Sequence, residues 1–261
     1  MNLESLTHKV CDLCRETGDF LKKEITNLRS SDITHKGVHN YVTWVDKESE
    51  RRIMERLNDL LPGSGFIAEE SPELLPAELT WIIDPLDGTT NFIHGVPMYC
   101  ISIALVQGNE TIIGVVYEVN LRECFYTWKS APSYLNGKEI KVSASSSIEH
   151  SLFATGFPYY DYGCLDEYLA IFKYLLQHSR GARRLGSAAA DLAYVACGRY
   201  DGFYEYGLSP WDVAAGALLV KNAGGRVSDF IGNDNFIFGK QIIATNGSIF
   251  DEFLNLFHAW K

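Results

Sequence analysis

Hydrophobic and polar positions follow two rhythms along this chain, one helical and one strand-like, and together they predict layered α and β elements. An amphipathic, mixed-charge segment at residues 3–28 predicts a first helix, and residues 45–61 predict a second. The polar stretch between them, residues 30–40, reads as a loop. Short apolar runs bounded by breakers predict strands near residues 66–68, 81–84, 100–107, 111–117 and 123–128. Asn136-Gly137 is a two-residue hairpin signal, with a strand expected at 140–142. After the small polar run 143–147, strands near 152–155, 203–206 and 242–244 alternate with helices at 166–177, 188–196, 212–222 and 249–259. Such alternation indicates an α/β fold, without internal repeats or a long linker.

Candidate chemistry sits at the edges of these elements. The run Trp81-Ile82-Ile83 leads into Asp84-Pro85-Leu86-Asp87-Gly88-Thr89-Thr90. Pro85 cannot continue a strand ladder, so the chain is expected to turn where the two aspartates stand. Gly88 permits close backbone approach to a ligand, and Thr89 adds a hydroxyl beside free amides. Glu69 and Glu70 follow a second apolar stretch, Gly65-Phe66-Ile67, and Asp212 falls in the first turn of a small-residue helix. Acids at three element ends suit a hard cation that carries phosphate.

Composition narrows the classes. A chain of 261 residues can bury one large core or two packed lobes, and 46% hydrophobic residues describe a folded globule. Its net charge of -10 argues against direct nucleic-acid binding or an anionic membrane surface. An acidic protein that handles phosphate esters needs divalent cations to offset both charges. No apolar run approaches bilayer length, and Met1-Asn2-Leu3-Glu4 lacks the character of a secretory leader. These features predict a cytoplasmic protein with its six cysteines reduced. Cys11 and Cys14 form a CxxC, but on a predicted helix, where burial as small apolar residues is the expected role.

Taken together, the segments Glu69-Glu70-Ser71, 81–94 and 211–216, with Gly186-Ser187-Ala188-Ala189 and Gly202-Phe203-Tyr204-Glu205 between them, resemble the inositol monophosphatase family. The stretches 154–158 and 183–187 are most similar to its bacterial branch. The resemblance implies an α/β sandwich of αβαβα layers, of the inositol monophosphatase and fructose-1,6-bisphosphatase type. It also implies Mg²⁺ dependence, lithium sensitivity and a homodimer. The chain reads as one phosphatase domain of two halves, about 1–145 and 146–261, with the active site at their junction.

Position by position, the resemblance gives Glu69, Asp84 and the carbonyl of Leu86 to a first Mg²⁺. Asp84 bridges to a second ion held also by Asp87 and Asp212, and a third, weaker ion lies near Glu69. Thr89 and Glu69 position and help deprotonate the attacking water, with Asp84 the third catalytic residue, so no Ser, Cys or His nucleophile is needed. Substrate contacts fall to Asp87, Gly88, Thr89, Gly186, Ser187, Ala188, Glu205 and Asp212, and Glu205 would hold ring hydroxyls. Glu70, Asp46 and Lys36 stand behind these residues as supports.

The family usually reads Asp-Leu-Val-Thr where this chain has Asn40-Tyr41-Val42-Thr43, which bears on the third ion and on the loop. His94 suits a helix cap better than catalysis. Arg180, Arg183 and Arg184 read as solvated or dimer-facing, with attraction of substrate anions the alternative. The expected reaction is hydrolysis of myo-inositol monophosphate, a small phosphorylated polyol. Fructose-1,6-bisphosphate, a 3'-phosphoadenosine nucleotide or histidinol phosphate are alternatives, as is a partner-binding regulator that keeps the fold. Relatives acting on phosphoadenosine or histidinol phosphate tend to carry lysine after the motif threonine, and this chain has Thr90-Asn91-Phe92.

Overall fold

Two mixed sheets separate three helical layers. The computed structural model describes residues 1–27, 33–37, 40–71, 77–158 and 161–257; the side chains of 33–42, Lys36 among them, lie outside the described set. In chain order the elements are α1 (Leu3–Glu24), β1 (Ile33–Gly37), β2 (Asn40–Thr43), α2 (Trp44–Leu60), β3 (Gly65–Ala68), β4 (Leu79–Asp87) and α3 (Thr89–Ile93). Next come β5 (Cys100–Gln107), β6 (Glu110–Glu118), β7 (Glu123–Trp128), β8 (Ser133–Leu135), β9 (Lys138–Ile140) and β10 (Phe153–Thr155). The chain continues through α4 (Leu165–His178), β11 (Ala182–Arg183), α5 (Ala188–Ala196), β12 (Gly202–Tyr206), α6 (Pro210–Asn222), β13 (Arg226–Ser228), β14 (Gln241–Thr245) and α7 (Phe250–Leu254).

A 7-stranded sheet runs β3-β4-β5-β6-β7-β8-β9, and a 5-stranded sheet runs β11-β10-β12-β14-β13. Strand alternation sends Trp81, Ile83, Ile101 and Ile103 to one face of the larger sheet, where α1 and α2 supply Val10, Leu21, Val45 and Ile53. Ile82, Cys100 and Ala104 face the other way, against the alanine-rich helices α5 and α6. Those helices also cover Ala154, Phe203 and Ala244 of the smaller sheet. Its far face, with Phe153, Tyr204 and Ile243, packs on Tyr168 and Leu175 of α4 and Phe253 of α7. The order is the expected αβαβα sandwich.

Four local expectations are corrected. α1 stops at Glu24 because Thr26 and Asn27 turn their side chains onto the carbonyl of Lys23, competing with helix continuation. The stretch read as a loop contains β1, which pairs antiparallel with β2. After the Asn136-Gly137 turn, where both residues have positive φ, Leu135 pairs directly with Lys138; the strand is therefore 138–140, and the Val142 N–H bonds Ala223 instead. The last helix is α7 followed by a 3₁₀ turn at Asn255–Phe257, and residues 258–259 lie outside the described set. Cys11 and Cys14 are buried on α1, as expected.

Sheet and helix touch most closely at Gly114 of β6. A Cβ there would stand 2.7 Å from the Ala215 carbonyl oxygen of α6, so the absent side chain sets the spacing between layers. Gly114→Ala should lower unfolding stability by about 1–3 kcal/mol through overpacking, read as a falling melting temperature. An unchanged melting temperature would show that the two layers are not closely pressed there.

Candidate metal and phosphate site

β4 does not turn at Pro85. Asp84 pairs with Ser102 and Asp87 with Cys100, so the register slips by one residue between them and Pro85 lies in the bulge. A bulge tolerates the missing N–H and removes the conflict that predicted a turn. It also has a consequence for chemistry. Residues three apart on a regular strand face opposite sides, whereas this slip lets both aspartates face one cavity. Gly88 follows with φ +97, and an added Cβ would meet the carbonyls of Met98 at 3.0 Å and Gly186 at 3.2 Å.

The neighbouring acids arrive from other elements. Glu69 follows β3, which runs parallel to β4, and its N–H bonds the Ile83 carbonyl at 3.3 Å. Asp212 is the third residue of α6, where its Oδ2 accepts from the Ser209 N–H at 2.6 Å in a capping box. Ligand oxygens of Asp84, Asp87 and Asp212 all lie within 4.8 Å of one another. Glu69, Leu86, Gly88, Thr89, Gly186, Ser187, Ala188 and Glu205 share one cavity of about 270 Å³ with them. Every expected metal-ligand and substrate residue is therefore brought together.

Hydrogen bonds between segments distant in sequence fix this meeting. Asp87 Oδ2 accepts from Ser187 Oγ at 2.7 Å and from the Ala189 N–H at 2.8 Å. Ser102 Oγ donates to the Trp211 carbonyl at 2.9 Å, and Asn91 Nδ2 to the Leu185 carbonyl at 2.8 Å. Burial drives the Asp84 carboxyl well above its ordinary range, and Glu69, Asp87 and Asp212 push it further. Asp212 is also raised, first by burial and then by Asp87. Burial raises Asp87 too, against the bonds from Ser187 and Ala189. Without a cation, these acids hold their negative charge only with difficulty. An all-oxygen donor set of this kind fits a hard divalent ion.

The expected supports divide. Asp46 caps α2 through Thr43 and accepts from Thr89 Oγ1 at 3.0 Å, which ties this threonine to a buried acid. The Thr89 hydroxyl also lies 3.0 Å from the Leu86 carbonyl. Glu70 does not line the cavity; its N–H donates to Glu50 Oε2 at 2.8 Å, while Ser71 Oγ donates to Glu50 Oε1 at 2.5 Å. Glu50 thus anchors the turn after Glu69, a role that nothing in the sequence separated from surface charge. Of the arginines, Arg184 lines the cavity, whereas Arg180 and Arg183 lie in a separate groove. His94 is the exposed C-cap of α3. Several cavity residues were not expected, among them Tyr206, Gly207, Leu208 and the acid Asp191 of α5, the sole charge in Ala-Ala-Ala-Asp-Leu-Ala-Tyr-Val-Ala.

A profile of the inositol monophosphatase family matches residues 2–259. The chain belongs to this family. The Nus factor SuhB of Pseudomonas aeruginosa is 42% identical over 246 residues, covering 92% of this chain and 91% of that one. The inositol-1-monophosphatase of Mesorhizobium japonicum is 35% identical over 248 residues, covering 94% and 93%. The crystal structure of extragenic suppressor protein suhB from Bartonella henselae superposes with a TM-score of 0.92 at 35% identity, covering 98% of this chain and 100% of that chain. Family membership and the acidic cluster agree on metal-dependent phosphatase chemistry. Among the described residues, no helix is long and apolar enough to cross a membrane.

The raised carboxyls have a sign that can be tested. A group whose folded pKa lies above its unfolded value stabilises the fold at pH below the unfolded pKa, about 4 for aspartate, and loses that contribution as pH rises toward the folded pKa. Asp84→Asn removes this penalty. In chelator, the variant should melt at or above the wild-type temperature, and its advantage should grow as pH rises from about 4. A variant that melts lower at neutral pH would contradict the repulsion inferred here.

Proposed function

We propose that the chain is a Mg²⁺-dependent phosphomonoesterase that hydrolyses myo-inositol monophosphate to myo-inositol and phosphate. The observation that carries this reading is the approach of Asp84, Asp87 and Asp212 to within 4.8 Å, beside Glu69 and a helix start. Glu69, Asp84, the Leu86 carbonyl, Asp87 and Asp212 would hold two ions, with a third, weaker one near Glu69. Mg²⁺ there would offset phosphate charge and lower the pKa of the attacking water.

The protein's own groups supply the rest. Thr89 has one hydroxyl proton, and donating it to Asp46 leaves oxygen lone pairs to accept from water. Burial raises Asp46 against the bonds from Thr43 and Thr89, which suits a group that takes up a proton. Glu69 would help orient the same water, and the amides of Gly88 and Thr89, opening α3, would receive phosphate oxygens. Glu205 lines the same cavity as Gly186, Ser187 and Ala188, and these groups would receive the leaving alcohol.

In this reading the chain is one domain of two halves with the site at their junction, cytoplasmic and lithium-sensitive, and it works as a homodimer. Exposed Phe157, Tyr162, Leu169 and Leu176, on and before α4, supply apolar surface for a second copy. The name Nus factor, carried by the Pseudomonas relative, supports a second reading in which the chain also binds a partner in transcription. The complete acidic set favours turnover in either case.

The test is phosphate release with Mg²⁺ across inositol monophosphates, fructose-1,6-bisphosphate, a 3'-phosphoadenosine nucleotide and histidinol phosphate. Inositol monophosphate should give the highest kcat/KM, and a higher value for another substrate would reassign the specificity. Asp84→Asn should retain less than about a tenth of turnover on every substrate. Glu205→Gln should lower the selectivity for inositol phosphate over p-nitrophenyl phosphate by roughly tenfold or more, the scale of a lost charged hydrogen bond. Equal losses on both substrates would mean that Glu205 serves the catalytic centre instead.

A further inference from the structure

We propose that Asp191 is a second specificity carboxyl of this cavity, acting with Glu205 to receive neighbouring hydroxyls of a polyhydroxylated leaving alcohol. The inference rests on the phosphomonoesterase reading above. Every residue of α5 is buried, and Asp191, 1% exposed, is its one charged side chain. Its Oδ1 has no hydrogen-bond partner among the described residues, yet the residue lines the cavity. A carboxyl in that condition is disfavoured unless something outside the chain supplies a donor.

Arg184 of the same cavity offsets part of the Asp191 charge, but two other ordinary explanations fail. Asp191 is not the helix cap, because Ser187 accepts from the Ala190 N–H at 3.3 Å and the Asp191 N–H is already bonded to the Ser187 carbonyl at 3.0 Å. It stands outside the cluster formed by Asp84, Asp87 and Asp212. Side chains on a helix tilt toward its N-terminus, so the carboxyl lies over the first turn, the same turn that serves Asp87 through Ser187 and Ala189.

Glu205 is the natural counterpart. It lines the same cavity, and its charge pushes the Asp191 carboxyl up, second only to burial. Gly156 leaves room for its carboxyl, since a Cβ there would fall 1.9 Å from Glu205 Oε1. The protein therefore presents two carboxyls to this cavity and leaves Asp191 Oδ1 without a donor among the described residues. An alcohol with adjacent hydroxyls would provide donors to both carboxyls, whereas a phenol leaving group has none to spare.

The experiment compares wild type, Asp191→Asn and Asp191→Leu on myo-inositol 1-phosphate, p-nitrophenyl phosphate and phosphoethanolamine, with melting temperatures to establish folding. Both variants should lose about tenfold or more of the wild-type selectivity for inositol phosphate over p-nitrophenyl phosphate, carried mainly by KM. Undiminished selectivity in a folded variant, or equal losses on all three substrates, would overturn the assignment. Loss confined to phosphoethanolamine would assign Asp191 to an ammonium group and overturn it as well. Wild-type protein that shows no preference for inositol phosphate would instead defeat the underlying polyol reading. The two failures are thus distinct.

Discussion

Mutual repulsion among clustered carboxylates is the constraint on which the rest of the molecule depends. Asp84, Asp87 and Asp212 hold oxygens within 4.8 Å of one another, and Asp84 is 1% exposed. Like charges brought so close in a poorly hydrated site destabilise the fold that brings them there. Three features of the architecture oppose that tendency. The bulge at Pro85 is held in a strand paired on both edges, by β3 and by β5. The α6 start is capped by Asp212 itself. The α5 start is bonded to Asp87 by a hydroxyl and an amide.

The layer order follows from the same need. Acids from β4 and from α6 meet only if α5 and α6 lie directly on the larger sheet, and the small side chains of those helices permit it. Ala189, Ala193, Ala214 and Ala215 are fully or almost fully buried, and Gly216 leaves no room for a Cβ, which would lie 2.5 Å from Leu192. Small-residue packing brings helix and sheet backbones close, and with them the polar ends that build the cavity.

How much of this was legible in sequence depends on the distance over which each signal acts. The Asp84–Thr89 segment, the Gly-Ser-Ala start of α5 and the Trp211-Asp212 start of α6 carry local signals, and all reach the cavity. Strands β5 and β7 match their expected bounds because continuous apolar runs ended at polar turns. Pro85 was misread, since a proline that forbids a ladder bond is equally compatible with a bulge, and only the register of β5 decides between them. β13, three residues long, has no pattern of its own and exists because β14 offers an edge. The bond from Thr89 to Asp46 spans 43 positions, and Glu50 reaches Glu70 across 20, so neither pairing leaves a trace in periodicity. Asp191 was visible as a charge in an alanine helix, but the helix reads as well formed without it.

A divalent cation bound by these acids would relieve this repulsion and hold the site together. The most direct test of this claim is the melting temperature of chelated protein titrated with Mg²⁺ in the presence of inorganic phosphate. A ligand that binds only the native state at a hundredfold excess over its Kd adds about 2.7 kcal/mol. For a chain of this size that corresponds to a rise of roughly 5–10 °C. The wild type should show such a rise, saturating with Mg²⁺, and Asp84→Asn should show less than about half of it. A wild-type melting temperature unmoved at millimolar Mg²⁺ would contradict the claim.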